Sequence, residues 1–283
     1  MKTRTSIILS SMMFLQYYIW GSWYVTMGTF MSKYLGSSGI QIGAAYSALA
    51  IATMISPFFV GMIADRFFAA QKVMGGLHIL GGILLFLASK ITTNGAFYWV
   101  ILFYSLAYMP TIALSNSVAF RQMTDIGKQF PPIRVFGTVG WVISGFMISL
   151  LGIEQTPLTF YMAAIVSVAL GFYSFFLPDT PPQVKTVTSA KSVMGIDALV
   201  LFKDKPYLIF FIAAIFVCIP LSFYFGFANL YLNQSGMENT AGKMVMGQIS
   251  EALFILAIPF LFNRIGVKKM LLIGMSADRK SVV

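Results

Sequence analysis

Read only for hydrophobic and polar positions, the chain is a succession of long apolar runs separated by short polar breaks. A bilayer core of about 30 Å needs about 20 mostly apolar residues per helix. On that ruler, runs near 7–31, 39–63, 71–90, 95–119, 133–152, 157–178, 207–232 and 242–263 each predict a transmembrane helix, and another begins near Lys268. Strict alternation over segments of about ten residues, the mark of a membrane β-barrel, is missing. The fold class expected is an all-α polytopic membrane protein. The first run follows two basic residues, as a signal peptide would. It continues past Trp20 toward Phe30 with no small-residue cleavage site, so it reads as an uncleaved first span.

The longest polar break is "DTPPQVKTVTSAKSVMGIDALVLFKDKP", from Asp179 to Pro206. Six spans, a long linker and further spans form the layout of a two-bundle transporter. The expected division is a six-helix bundle over 1–180, a linker over 181–206 and a second bundle over 207–283. A weak repeat agrees with it. "GAAYSALAIATMISPFF" from Gly43 and "GQISEALFILAIPFLF" from Gly247 share Gly, Ala-Leu, an apolar run, Pro and Phe, which pairs Glu251 with Ser47. Repeat logic calls for twelve spans, so the chain is expected to be truncated at about eight and a half of twelve. One reverse translation of the final "DRKSVV" reproduces a sequencing-adapter sequence, and 275–283 is expected not to be native.

Composition sharpens this picture. The chain is 58% hydrophobic and 10% charged, against about 25% charged residues in soluble domains. Its net charge of +10 could suggest nucleic acid. The positions of the charges argue otherwise. With the N-terminus cytoplasmic, Lys2, Arg4, Arg66, Lys72, Arg121, Lys128, Lys185, Lys191, Lys203, Lys205, Arg264, Lys268 and Lys269 fall inside, and only Lys33, Lys90 and Lys243 outside. That is the positive-inside pattern. Cys218 lies in an apolar run and reads as a small core residue.

An ionisable group at the bilayer centre costs about 2.5–3.5 kcal/mol on insertion scales, so it faces a bundle interior or water. Two charges fall inside apolar spans, Arg134 and Glu251. Gln248 and Glu251 are three apart and share a helix face. The amide both donates and accepts, and the carboxyl can hold a substrate or carry a proton. Arg134, Thr138 and Trp141 sit at i, i+4 and i+7, a stripe of cation, hydroxyl and indole. Gly137 and Gly140 between them suit close helix packing. On the first span Gln16, Trp20 and Trp23 share a face, and Gln16 is a cavity candidate. Asn116 is another candidate, with an interhelical hydrogen bond as the alternative. His78, the only histidine, reads as a packed core residue and cannot build a metal site alone. Motifs of zinc proteases and serine hydrolases are missing, which argues against an intramembrane enzyme. A receptor or structural subunit has no need of Glu251.

Several stretches carry a family resemblance. "GMIADRF" resembles the G-x-x-x-D-R motif of the major facilitator superfamily, although "FFAAQK" stands where a glycine and basic cluster usually follow. The motif implies a gating role for Asp65 and Arg66. "FLQYYIWGSW", "AYMPTIALSNS", "FPPIRVFGTVGW", "LFKDKP" and "GQISEALFILAIPFLFNRIGVKK" resemble the nucleoside:proton symporter family of that superfamily. The resemblance implies proton-coupled import of nucleosides across the bacterial inner membrane by alternating access of two six-helix bundles. It places Arg134, Thr138, Trp141, Gln248 and Glu251 around the substrate, with Glu251 also coupling the proton. The expected partners are a nucleoside, protons and lipid, in a monomer without cofactor or metal. One departure leaves another solute open, such as a sugar or glycoside. Some family permeases place amides early in span seven, where this chain has "VCIPLSFYFGFANLYL", with Pro220 and Phe223 at the expected places and Asn229 the nearest amide.

Overall fold

The structure is a computed structural model that describes residues 3–182 and 196–278. Among these residues every regular element is helical. They are α1 (Thr3–Trp23), α2 (Met27–Tyr34), α3 (Gly39–Arg66), α4 (Ala70–Ala88), α5 (Asn94–Phe120), α6 (Ile126–Leu151), α7 (Leu158–Ser174), a 3₁₀ helix (Ile196–Lys203), α8 (Lys205–Gln234) and α9 (Thr240–Asp278). Gly39–Ser56, Ala70–Ala88, Asn94–Phe120, Ile126–Leu151, Lys205–Gln234 and Thr240–Ile258 are long and apolar enough to cross a membrane, and Leu158–Ser174 is a shorter apolar helix. The first run is absent from both sets. Its Ser, Thr, Gln and Tyr residues lower its hydropathy because α1 is enclosed by protein, with Leu9, Met12, Met13, Gln16, Ile19, Ser22 and Trp23 all buried.

Sequence pattern and structure differ at that first run. One span was expected over 7–31, but the helix breaks at Tyr24–Thr26 and resumes as α2. Ser22 donates to the Tyr18 carbonyl at 2.7 Å and Thr26 to the Trp23 carbonyl at 3.4 Å, the back-bonding that bends helices. Downstream, α9 is interrupted at Gly266, whose φ of 75° and ψ of 164° are not helical. The helix therefore restarts just before Lys268, where the apolar pattern places a new span. Half of the 181–206 linker, residues 183–195, lies outside the described residues. Its last part is the 3₁₀ helix, and α8 already starts at Lys205.

Within α1–α7, α1 packs on α6 and α7, α4 on α5 and α7, and α3 on α5. α6 also carries α9 on its other side, and α2 reaches α8. α1 and α2 form one broken span, and from α3 on each helix reverses the one before it. The Ala70 N–H at the start of α4 donates to the Thr180 carbonyl beside the linker, and Ser37 after α2 meets Asn94 at the start of α5 on the other face. The starts of α1, α4, α6 and α8 therefore share one face with the linker, and Tyr34, Gly152 and Ser235 lie at the opposite face. Asp125 caps α6 at the linker face by accepting from the Lys128 N–H at 3.1 Å. Close contact between α1 and α6 depends on glycine. A Cβ at Gly137 would stand 2.6 Å from Tyr17 Cδ2, and one at Gly140 would overlap the Phe14 carbonyl.

Candidate functional site

Four helices enclose a cavity of about 360 Å³. From α6 come Arg134, Thr138 and Trp141, and from α9 come Gln248 and Glu251. α1 and the turn after it add Tyr17, Trp20 and Tyr24, and α8 adds Cys218, Leu221, Ser222 and Phe225. The five residues expected at a substrate from α6 and α9 thus meet at one place, although more than a hundred positions separate the two stretches in sequence.

Each wall has its own chemistry. The Arg134 guanidinium lies over the Tyr17 ring, with Cζ 3.9 Å from its centroid. That is a cation–π stack, and it fits only because Gly137 has no side chain. Its Nη1 is buried without a hydrogen-bond partner among the described residues. Trp20 Nε1 is in the same condition. Leaving a buried donor unpaired costs about 1–3 kcal/mol, so such groups call for a ligand or water. Across the cavity, Glu251 is exposed and Gln248 half-buried. Arg134 and Glu251 act on each other electrostatically, yet no ion pair joins them among the described residues. A permanent cation and a carboxyl therefore face one space, each with unused bonding capacity.

Aromatic rings close the cavity away from the linker. Trp20 meets Trp141 at 5.6 Å between centroids, Tyr24 meets Phe225 at 5.7 Å, and Trp141 meets Phe225 at 6.0 Å. Beyond them, Trp141, Phe225 and Gln248 border a void of about 20 Å³, little more than one water occupies. Tyr46 buttresses the layer by donating to the Tyr24 carbonyl at 2.7 Å. At that level α2 and α8 touch backbone to backbone, since a Cβ on Gly28 would stand 2.7 Å from the Gly226 carbonyl oxygen.

Gln16 requires correction. It is wholly buried and does not line the cavity. Its Nε2 donates to Thr111 Oγ1 at 2.8 Å, its Oε1 lies 2.8 Å from His78 Nε2, and its carbonyl accepts from the Tyr108 hydroxyl at 2.6 Å. Tyr108 thus meets the backbone of Gln16, and with both ends of its side-chain amide paired to Thr111 and His78 the residue has no reason to face water. Trp23 is likewise internal and donates to the Tyr104 hydroxyl at 3.2 Å. The cavity stripe on α1 is rotated by one residue from the expected face, to Tyr17, Trp20 and Tyr24. His78 is the packed core residue that its isolation predicted. Asn116 does not line the cavity, and its Oδ1 is buried without a partner. The side chains of Asp65 and Arg66 lie outside the described residues.

α8 differs from expectation in two ways. Cys218 was read as core but is exposed on the cavity wall, because that stretch of α8 faces the cavity. Pro220 and Phe223 do not line the cavity, whereas Leu221, Ser222 and Phe225 do. Residues 218, 221, 222 and 225 form a helical stripe, but in a helix apolar on all sides no polar contrast marks it. Ser222 donates to the Ile219 carbonyl at 2.7 Å and so offers the cavity mainly an acceptor.

Among the described residues every regular element is helical and polar side chains converge between the early and late helices, the arrangement of a multi-pass membrane protein of the major facilitator type. A crystal structure of a point variant of nucleoside transporter NupG superposes with a TM-score of 0.86 at 35% identity, over 96% of this chain and 72% of that one. The chain belongs to the nucleoside H+ symporter family, whose profile matches residues 1–280. It is 45% identical over 279 residues to YegT, a candidate nucleoside transporter of Escherichia coli K12, covering 96% of this chain and 65% of that one. Identity to the xanthosine permease of Escherichia coli K12 is 38% over 284 residues, covering 95% and 68%. The 283 residues thus span about two thirds of the length of these relatives.

Proposed function

We propose that the protein imports nucleosides together with protons across the bacterial cytoplasmic membrane, N-terminus inside, by alternating access of two bundles. The observation that carries this reading is the convergence of Arg134, Thr138 and Trp141 with Gln248 and Glu251 on one aromatic-walled cavity. Its volume of about 360 Å³ lies within the roughly 300–1,000 Å³ of small-molecule sites. Trp20, Tyr24, Trp141 and Phe225 offer faces on which a purine or pyrimidine stacks. Arg134 donates to a base carbonyl, Thr138 and Gln248 serve either sense of hydrogen bond, and Glu251 accepts from ribose hydroxyls or takes up the proton. Because the walls come from both bundles, a bound solute draws them together, and protonation of Glu251 alters what the carboxyl can accept. Asp65 and Arg66 would gate the linker face. The working unit is a monomer in the lipid bilayer, with no cofactor beyond the coupling proton.

Uptake of radiolabelled uridine and adenosine tests this, with the full gene expressed in cells lacking their own nucleoside carriers. Uptake should collapse with a protonophore and with Glu251→Gln. Uptake indifferent to both would refute proton coupling through Glu251. Uptake no higher than in empty cells, with the protein present in the membrane, would favour a second reading. That reading is carriage of another solute such as a sugar or glycoside, and the α8 wall supports it, because Cys218, Leu221, Ser222 and Phe225 bring no amide to the cavity.

A further inference from the structure

Glu154 lies just beyond α6, at the face opposite the linker, and is buried. Gly152, with a φ of 63°, ends α6 in the left-handed conformation and turns the chain back across that face. Among the described residues, the hydrogen-bond partners of the Glu154 carboxylate all belong to α8 and α9. Its Oε1 accepts from the Ala241 N–H at 2.8 Å, and its Oε2 from Asn233 Nδ2 at 3.2 Å and Asn229 Nδ2 at 3.5 Å. Ala241 is in the first turn of α9, so its N–H is one of the donors every helix start leaves free. A carboxylate there also suits the helix dipole. Asn229 is held from the other side by Thr29 of α2, whose hydroxyl donates to Oδ1 at 2.6 Å. Among the described residues no cation pairs with Glu154.

We propose that Glu154 is the latch that holds this face closed, a side chain of the first bundle that caps a helix of the second. The inference rests on the alternating-access reading. A buried carboxylate is tolerated only while its hydrogen bonds are met. Every donor that meets them here belongs to the other bundle, so closure and satisfaction of Glu154 are one event. When the face opens, water replaces each donor at small net cost. An apolar seal has no such substitute. The latch therefore holds and releases, and it sits beyond the aromatic layer, so breaking it does not disturb the substrate's own contacts.

Cys218 reports the state, because it lies on the cavity wall. Its alkylation by a membrane-impermeant maleimide is followed in vesicles of each orientation, using the full-length protein with any other cysteine replaced. In the native protein the reagent should react faster from the linker face. Glu154→Ala should raise the rate from the opposite face, relative to the linker face, by about tenfold, since hydrogen bonds to a charge are lost. The isosteric Glu154→Gln keeps an acceptor for Ala241 but turns an NH₂ toward Asn233, and should shift the ratio the same way by less. Thr29→Val should give the smallest shift. A ratio unchanged in Glu154→Gln, with protein in the membrane, overturns the latch, as does a shift toward the linker face. The readout does not depend on which solute is carried. A shifted ratio without nucleoside uptake keeps the latch and removes the nucleoside reading, and proton-driven uptake with an unshifted ratio does the reverse.

Discussion

Gln16 and Arg134 both place hydrogen-bonding groups deep among apolar helices, yet their surroundings are opposite. Around Gln16, Thr111, His78, Ser167 and Tyr108 complete a closed network. Around Arg134, a buried nitrogen has no hydrogen-bond partner among the described residues, and a carboxyl and an amide face it across open space. Both clusters break the rule that polar groups are expensive in an apolar interior. The first settles that cost within the protein and is scaffold. The second leaves it unsettled and, on the function proposed above, is where a solute would sit. Unmet bonding capacity, more than polarity, separates the two.

Mutations can break this comparison. Arg134→Ala removes the stacked cation and its free donor, and should weaken nucleoside binding by about a hundredfold with little loss of stability. Calorimetric titration and a thermal melt check the two halves of that statement. Gln16→Leu should do the reverse. It strands buried partners, so stability falls by about 1–3 kcal/mol, while affinity in the surviving fold changes less than about threefold. A collapse of affinity with an unchanged melt would place Gln16 in the site after all. Gly137→Ala tests the join between scaffold and site. Its new Cβ pushes the Tyr17 ring away from Arg134, and binding should weaken by roughly tenfold, the scale of a desolvated cation–π contact. Ser222→Ala should have the smallest effect, under about threefold, because the hydroxyl already donates to its own helix. A large loss there, read as the ratio of uridine to adenosine uptake, would make α8 the wall that reads the base.

Legibility followed contrast. Arg134, Thr138, Gln248 and Glu251 stood out because each is polar in an apolar run, and their spacing put them on common faces before any fold was known. Glu154 was passed over because it lies in a polar turn, where a carboxylate costs nothing in isolation. Only the approach of α8 and α9 buries it. The α8 stripe had no contrast at all, since every side of that helix is apolar. On α1 the contrast misled: Gln16 is the most polar residue of its run, and that polarity is spent on His78 and Thr111.

The order of apolar runs, the linker and the asymmetry of Lys and Arg are properties of the chain itself. Membrane insertion reads them segment by segment, so they determined an all-helical membrane protein without reference to packing. Which side of each helix faces the cavity, which amide is already satisfied, and which carboxylate joins one set of helices to the other depend on neighbours far away in sequence. Hydrogen bonds and ring contacts form between atoms a few ångströms apart, and only the tertiary structure brought those atoms together.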